Sequence, residues 1–410
     1  MLQALVLTIL YHIEVGRPER AFMLAGVSAR MAIALNIHNE QKDLEFIDRE
    51  VRRRLAWTLS IVDGLFSRGL PEYEVFPCEI IYVQLPCREN IFNSEAFSET
   101  ETLSASDSRR LEGGRQAMCI RLGVLRRDIM RLTRQLALTE HSLPQLESLV
   151  QNLDKNVLEI GSDISTTFPY SKANLIRMLD SRWLPRFIAI HLSLHQAYCD
   201  LYRIFLPGYR EDAPVISLKS VGAEFSANAA AICYQHARAT IQILSDLQEH
   251  CKAWRLFDSD LTVCAYHTSR LVLFLAQSSS LELPPSTTDA LNGAKLCLSV
   301  IERFFPTSAF SRVIVEELET LIARRTAEAS TGQLQPQESD ESVAQNHRHL
   351  AVYSLVRQSR FFYEGLRHRS PSQTPGPSTV AEAAAVMTMS PVADVVPGSL
   401  DCPELGSGGR

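Results

Sequence analysis

Two histidines and a cysteine, His191, His195 and Cys199, recur every four residues, so on a helix they share one face. Two imidazoles at that spacing are able to chelate zinc. Leu192 stands where the helical metalloprotease pattern needs Glu, and no carboxylate partner accompanies the trio. We read them as helix-face residues rather than metal ligands, because a metal site needs a full ligand set and groups that orient it. A second cluster, Arg52, Arg53 and Arg54, lies ahead of Trp57 and behind Asp48 and Glu50. Those spacings suit ion pairs along one helix better than a localisation signal, which is usually longer. A third set, Arg115, Arg121, Arg126, Arg127, Arg131 and Arg134, makes a basic helix face that could meet nucleic acid or an acidic partner. It lacks aromatic residues for stacking, and the chain carries 41 Lys and Arg against 47 Asp and Glu, a net charge of −6. Ion pairing within the protein is the better reading of that face. Glycine-rich phosphate loops, a G-x-S-x-G elbow and kinase signatures are all missing from the sequence.

The elements that must position these groups are helices. Leu2, Leu5, Val6, Ile9, Leu10 and Ile13 follow the spacing of one helix face, and Gly16 and Pro18 mark the end of that helix and the start of the next. This opening stretch has no basic lead or small-residue cleavage site, so it reads as a core helix rather than a secretion signal. The second helix carries a small-residue face with Ala21, Leu24, Ala25, Ser28, Met31, Ala32 and Leu35. A third, starting near Asp48, buries Val51, Leu55, Leu59, Val62 and Phe66. From Arg115 to Ala137, Met118, Leu122, Leu125, Ile129, Leu132 and Leu136 alternate four and three apart, a helix-packing seam. Further helices are expected through Leu143–Leu158 and at 184–206, 224–250, 260–278, 289–304, 311–328 and 344–366. Period-2 alternation between turn signals is absent, so we expect an all-α fold.

The 410 residues are 46% hydrophobic, enough for a sizeable core. We divide them into helices over 1–92, a flexible linker at 93–113 rich in Ser, Thr and Glu, further helices of the same domain over 114–366, and a tail at 367–410. Pro71, Pro77 and Pro86 make 71–92 read as an extended loop. The tail lacks aromatic residues from Ser370 onward and reads as disordered; its Asp394–Val395–Val396 and Leu400–Asp401 mix acids with aliphatics as activation tails do. The nine cysteines are scattered with no C-x-x-C pair, which excludes a recognisable structural zinc site and disfavours a disulfide framework. No stretch is long and apolar enough to span a membrane.

Several words of the first ninety residues, in order, resemble the middle homology region of fungal binuclear zinc-cluster transcription factors, the xylanolytic-activator type of regulatory domain. They are Leu2–Gln3–Ala4–Leu5, Gly16–Arg17–Pro18–Glu19–Arg20–Ala21, Ala29–Arg30–Met31–Ala32–Ile33–Ala34–Leu35, His38, Glu50-x-Arg52–Arg53–Arg54-x-x-Trp57, Asp63-x-x-x-Ser67, and Leu85–Pro86–Cys87 ahead of Phe92. A later word, His191–Leu192–Ser193–Leu194–His195–Gln196 with Cys199–Asp200–Leu201–Tyr202–Arg203, is similar to a later helix of the same domain and accounts for the histidine pair without metal. Asn36–Ile37–His38 replaces the family's Gly-Leu-His, and the loop Arg68–Gly69–Leu70–Pro71 is shorter than usual.

The resemblance implies a nuclear transcription regulator of RNA polymerase II genes rather than an enzyme. It implies DNA binding and zinc for full-length relatives, through a six-cysteine cluster whose spacing no cysteine here reproduces. This chain is therefore expected to begin inside the regulatory domain, with no DNA-binding, metal or cofactor residues of its own. A small-molecule effector, a transcriptional partner protein and a homodimer are the partners left open, and an effector-binding or protein-docking helical module is the alternative. The residues carrying the expectation are structural: Arg30, Glu50, Arg53, Arg54, Trp57, Asp63, His191, His195 and Arg203. Arg30 and one of Arg53 or Arg54 are expected to pair with Asp63 or Glu50 beside Trp57.

Overall fold

A computed structural model describes residues 1–67, 69–94, 99–103, 114–138, 146–209, 211–252, 257–278, 281 and 284–331. The described residues form helices, turns and irregular segments, with no strand among them. The expected helix at 344–366 and the tail at 367–410 lie outside them, as does most of the proposed linker.

Three helices open the chain. Helix α1 (Leu2–Glu14) buries Leu2, Val6, Ile9 and Ile13, the stripe expected from their spacing. Helix α2 (Pro18–Ala34) has Pro at its first position and turns Ala21, Ala25, Ser28, Ala29 and Ala32 inward. These short side chains let α2 lie close against its neighbours. Leu35, counted on that face from sequence, is exposed because the helix has already ended. Helix α3 (Phe46–Ser67) buries Leu55, Trp57, Leu59, Val62 and Phe66.

Residues 71–92 are less extended than their prolines imply. They form 3-10 turns at Pro71–Tyr73 and Cys78–Ile80 and lead into the short helix α4 (Glu89–Asn93). Phe76, Val83, Leu85 and Cys87 are buried, so the segment belongs to the core that α1, α2 and α3 surround. The described part of the proposed linker is docked as well. The Leu85 N–H donates to the Glu101 carbonyl at 2.8 Å, and the buried Thr100 donates its N–H to the Gln84 side chain at 3.3 Å. Backbone pairing here satisfies polar groups that would otherwise be buried alone.

The rest is a helical bundle. Helix α5 (Arg115–Leu138) uses its whole seam, with Met118, Leu122, Leu125, Ile129, Leu132 and Leu136 all buried. It is followed by α6 (Leu146–Thr167), the short α7 (Lys172–Met178), α8 (Leu184–Tyr202) and the long α9 (Val215–His250). Next come α10 (Asp260–Leu275), α11 (Thr287–Phe304) and α12 (Ala309–Thr331). Helix α7 was not expected; Ser171 caps it by accepting from the Asn174 N–H. Helix α8 stops at Tyr202, and a 3-10 turn, Arg203–Phe205, replaces the continuation expected to 206. The expected helix at 224–250 starts earlier, just after Pro214, where proline sets up a first turn. Two apolar clusters fill the bundle, one centred on α5, α6, α8 and α9, the other on α8, α10, α11 and α12. Helix α10 is buried nearly all round, the pattern of a central helix.

Buried ion-pair networks as the candidate functional site

The first network lies under Trp57. Helix α3 presents Glu50, Arg53, Arg54 and Trp57 within two turns, and all four are buried. Arg54 Nε donates to Glu50 Oε1 at 2.8 Å, and its guanidinium also donates to the Cys87 carbonyl at 3.1 Å. The same Glu50 oxygen accepts the Cys87 N–H at 3.0 Å. Glu50 and Arg54 thus meet both backbone groups of Cys87. Arg53 turns the other way, to Glu40 at 2.7 Å, and stands 3.7 Å from Glu50. Glu40 in turn accepts the Gln84 N–H at 3.1 Å, and the Trp57 indole donates to the Gln84 carbonyl at 2.9 Å. A single helix face therefore ties down residues 84–87 by their backbone, where no regular ladder does so. Phe92 closes the site, with the Arg54 guanidinium 4.4 Å from its ring centre. Burial raises the Glu50 carboxyl, and Arg54 draws it back down.

Two of the sequence-based pairings take a different form. Arg30 is exposed on the outer side of α2, whose inner side is filled by alanines, and it pairs with neither Asp63 nor Glu50. Asp63 is buried and, among the described residues, pairs with no arginine; its carboxylate accepts the Val75 N–H at 3.1 Å and the Phe76 N–H at 3.2 Å. The two amides of the proline-rich loop occupy the place assigned to a cation. Burial outweighs these hydrogen bonds, and the Asp63 carboxyl is pushed up to about 6.

The second network crosses the bundle. Arg203, just past α8, is 1% exposed. It lies 3.1 Å from Asp200 and 2.8 Å from Glu211, and donates to His267 Nδ1 at 2.8 Å. A guanidinium has no acceptor, so Nδ1 of His267 carries no proton in this contact. Asp200 also accepts from Gln196 at 2.6 Å and faces Arg126 Nε at 3.5 Å. Arg126 reaches on to Asp260, which accepts from Ser193 at 3.1 Å. Glu211 faces Arg270 at 4.0 Å; Arg270 contacts the Tyr266 hydroxyl, which donates to Glu317 at 2.6 Å. One chain of charges thus links α5, α8, α10, α12 and the segment after α8.

The histidines of α8 separate. His191 is buried between the edges of Tyr170 and Phe187, whereas His195 meets His236 of α9. Among the described residues, no three His, Cys, Asp or Glu side chains converge as a metal site. The basic face of α5 is occupied by acids of the protein: Arg127 and Arg131 hold Glu79, Arg131 holds Glu74, Arg134 holds Glu72, and Arg121 holds Glu101. Buried thiols are poor nucleophiles here, with Cys87 and Cys119 pushed up to about 12 by burial.

Sequence reasoning missed Glu40, Arg126 as a core residue, Asp200, Glu211, Asp260 and His267. Only two left a usable signal. Asp200 precedes Arg203 at the helical pairing distance, and Arg126 is four residues from Leu122 on the edge of the apolar seam.

Residues 1–183 match the fungal specific transcription factor domain. Over 95 residues, 20% of this chain, the sequence is 32% identical to the Zn(2)-C6 fungal-type transcription factor FTF1c of Fusarium oxysporum f. sp. lycopersici. An uncharacterised transcriptional regulatory protein of Schizosaccharomyces pombe is 24% identical over 265 residues, which is 56% of this chain and 32% of that protein. The chain matches only 10% of the length of the Fusarium protein. No solved structure is significantly similar. Residues 1–183 are thus similar to the fungal specific transcription factor domain, and the relatives matched are named as transcription factors or transcriptional regulatory proteins.

Proposed function

We propose that this chain is the regulatory part of a fungal zinc-cluster transcription factor acting on RNA polymerase II genes in the nucleus. The carrying observation is the match of residues 1–183 to the regulatory-domain family, together with a relative named for its Zn(2)-C6 cluster. The buried ion pairs suit that role, since they hold helices in one arrangement. Zinc and base contacts would lie in the six-cysteine cluster of full-length relatives. The cysteines here do not fit such a cluster: the described ones are spread over Cys78, Cys87, Cys119, Cys199, Cys233, Cys251, Cys264 and Cys297, mostly buried and on separate elements.

A reporter assay and a gel-shift experiment test this reading together. Fused to an unrelated DNA-binding domain, the chain changes reporter transcription; alone, it shows no sequence-specific DNA affinity. An unchanged reporter, or tight competitor-resistant binding of the chain to one site, overturns the proposal.

A second reading, an effector-binding module, needs more room than is offered by the apolar crevice between α8 and α10, which holds about one water. Ile188, Ala189, Leu192, Phe257 and Leu261 line it, with Asp258 and Asp260 at its edge. Ligand-dependent thermal stabilisation across a metabolite panel supports that reading, and no shift across the panel removes it.

A further inference from the structure

Helix α2 carries a second face that no described residue covers. Arg20, Met23, Val27, Arg30 and Ala34 alternate three and four residues apart, so they form one stripe along the helix. That stripe lies opposite the buried Ala21, Ala25, Ser28 and Ala32. All five residues are exposed, Met23 by 68% and Val27 by 49%. A carbon added at Gly26, on the flank of the stripe, would meet nothing within 4 Å. Single exposed apolar side chains are ordinary on a protein surface. A row of them at helix-packing spacing is what a partner covers.

The spacing selects the shape of the occupant. Three-four alternation is the seam by which one helix packs along another, as the Met118–Leu136 seam of α5 does inside the bundle. The 17 residues of α2 give a seam about 25 Å long, room for a helix lying lengthwise. The charges select its sign. Among the described residues, Arg17, Arg20 and Arg30 are exposed and no acid pairs with them. The helix holds one acid, Glu19, in its first turn, where the N-terminal pole of the helix favours it. The contrast with α5 is direct, since Arg127, Arg131 and Arg134 each meet a carboxylate of the loop after α3. Arg20 and Arg30 stand about 15 Å apart along the axis, with Met23 and Val27 between them. An amphipathic helix with acids at two levels is the complement of that pattern. A second copy of this chain is not, because it doubles the arginines on the seam while bringing no acid but Glu19, and like charges brought together oppose association.

We propose that the outer face of α2 docks an acidic amphipathic helix of a partner protein, whose apolar stripe packs on Met23, Val27 and Ala34 and whose carboxylates meet Arg20 and Arg30. The inference rests on the seam and its charges alone, so it stands or falls apart from the reading of the chain as a transcription regulator.

The probes are two synthetic amphipathic helices with leucine along the seam. One carries glutamates placed to meet Arg20 and Arg30, and the other carries lysines in their place. Fluorescence anisotropy with the purified full chain at low salt is expected to show the acidic probe binding about tenfold tighter or more, an advantage that shrinks as salt rises. Val27→Asp weakens the acidic probe by a similar factor, whereas Val215→Asp, at an exposed valine that opens α9, leaves it unchanged. Reversing both charges, Arg20→Glu with Arg30→Glu, transfers the preference to the lysine probe. Both arginines are exposed, so the fold is kept, and circular dichroism checks that. Equal affinities for the two probes, no binding of either, or a preference that survives the reversal overturns the proposal. A photo-crosslinker in place of Val27 tests the other occupants in the full chain without a probe. Capture of a second copy, or of another segment of the same chain, gives the face to that occupant and also overturns the proposal.

Discussion

Arg126 of α5 pairs with Asp260 in the first turn of α10 while its Nε lies 3.5 Å from Asp200 of α8, so one guanidinium joins three helices. Arg126 is 1% exposed and Asp200 is fully buried. Removing one member of a buried pair strands the other charge, which costs about 3–5 kcal/mol. Arg126→Met keeps the apolar stem and removes the charge. Urea unfolding should show a loss of that size, and adding Asp260→Asn to the same chain should recover part of it. A loss below about 1 kcal/mol, the value of an exposed pair, would mean that the network contributes no more than surface charges do.

Asp63 gives a pH signature. Its carboxyl is raised from 3.8 to about 6, chiefly by burial; the Phe76 and Val75 amides pull it down and Glu74 pushes it up. The folded chain therefore holds this proton more tightly than the unfolded chain does. The Asp63 contribution to stability is greatest below pH ~4, falls as pH rises through ~4–6, and is level above. A shift of about two units corresponds to about 3 kcal/mol across that window. Asp63→Asn keeps an oxygen for the two amides and removes the titration. Chemical denaturation of both proteins at a series of pH values should show the difference between them changing through the window. Parallel curves between about pH 4 and 6 would refute the assignment.

The fold was legible where one periodicity governed a segment. The seam from Met118 to Leu136 and the small face of α2 needed only helix geometry and hydrophobic burial. The networks were less legible, because the partners of a buried charge come from distant elements. Arg54 with Glu50 was readable within one helix, but Glu40 and Glu211 reach their arginines from irregular segments beside the helices, and Asp260 meets Arg126 across the fold. Arg30 shows the converse error: it belongs to a family word yet faces solvent, since α2 buries its alanines instead. Asp63 or Glu50 was expected to find an arginine beside Trp57; at Asp63, backbone amides meet the need of a buried carboxylate for partners.

The arginines along α5 should behave unlike Arg126. Arg127, Arg131 and Arg134 hold Glu79, Glu74 and Glu72 of the loop after α3, and Glu72 and Glu79 are largely exposed. Although burial opposes it, hydrogen bonding at its own backbone and the pairing with Arg127 bring the Glu79 carboxyl down to about 2. The exposed pairs with Glu72 and Glu79 contribute about 0–1 kcal/mol each and weaken with salt, whereas Glu74 beside Arg131 is nearly buried. The triple variant Arg127→Ala, Arg131→Ala, Arg134→Ala should unfold within a few kcal/mol of the parent but exchange the amide hydrogens of residues 72–81 faster. Unchanged exchange in that loop would show that Asp63 and apolar packing hold it alone.

The turn after α3 depends on the missing side chain of Gly69. Its φ of +74° lies in the left-handed region, and a Cβ there would sit 2.7 Å from the Met130 Cβ and 3.0 Å from the Met130 backbone. Left-handed backbone costs about 1–2 kcal/mol for a residue with a side chain. Overpacking against a neighbouring helix adds about 1–3 kcal/mol. Met130 belongs to the buried face of α5, so neither helix has open space to move into. Gly69→Ala should lower stability by about 2–5 kcal/mol in urea unfolding. Gly208→Ala is the control for backbone strain alone, since its φ is +79° with nothing within 4 Å of the added carbon. Gly208→Ala should lose about 1–2 kcal/mol. Equal losses at the two positions would show that α5 does not press on the turn, and that only the backbone conformation requires glycine there.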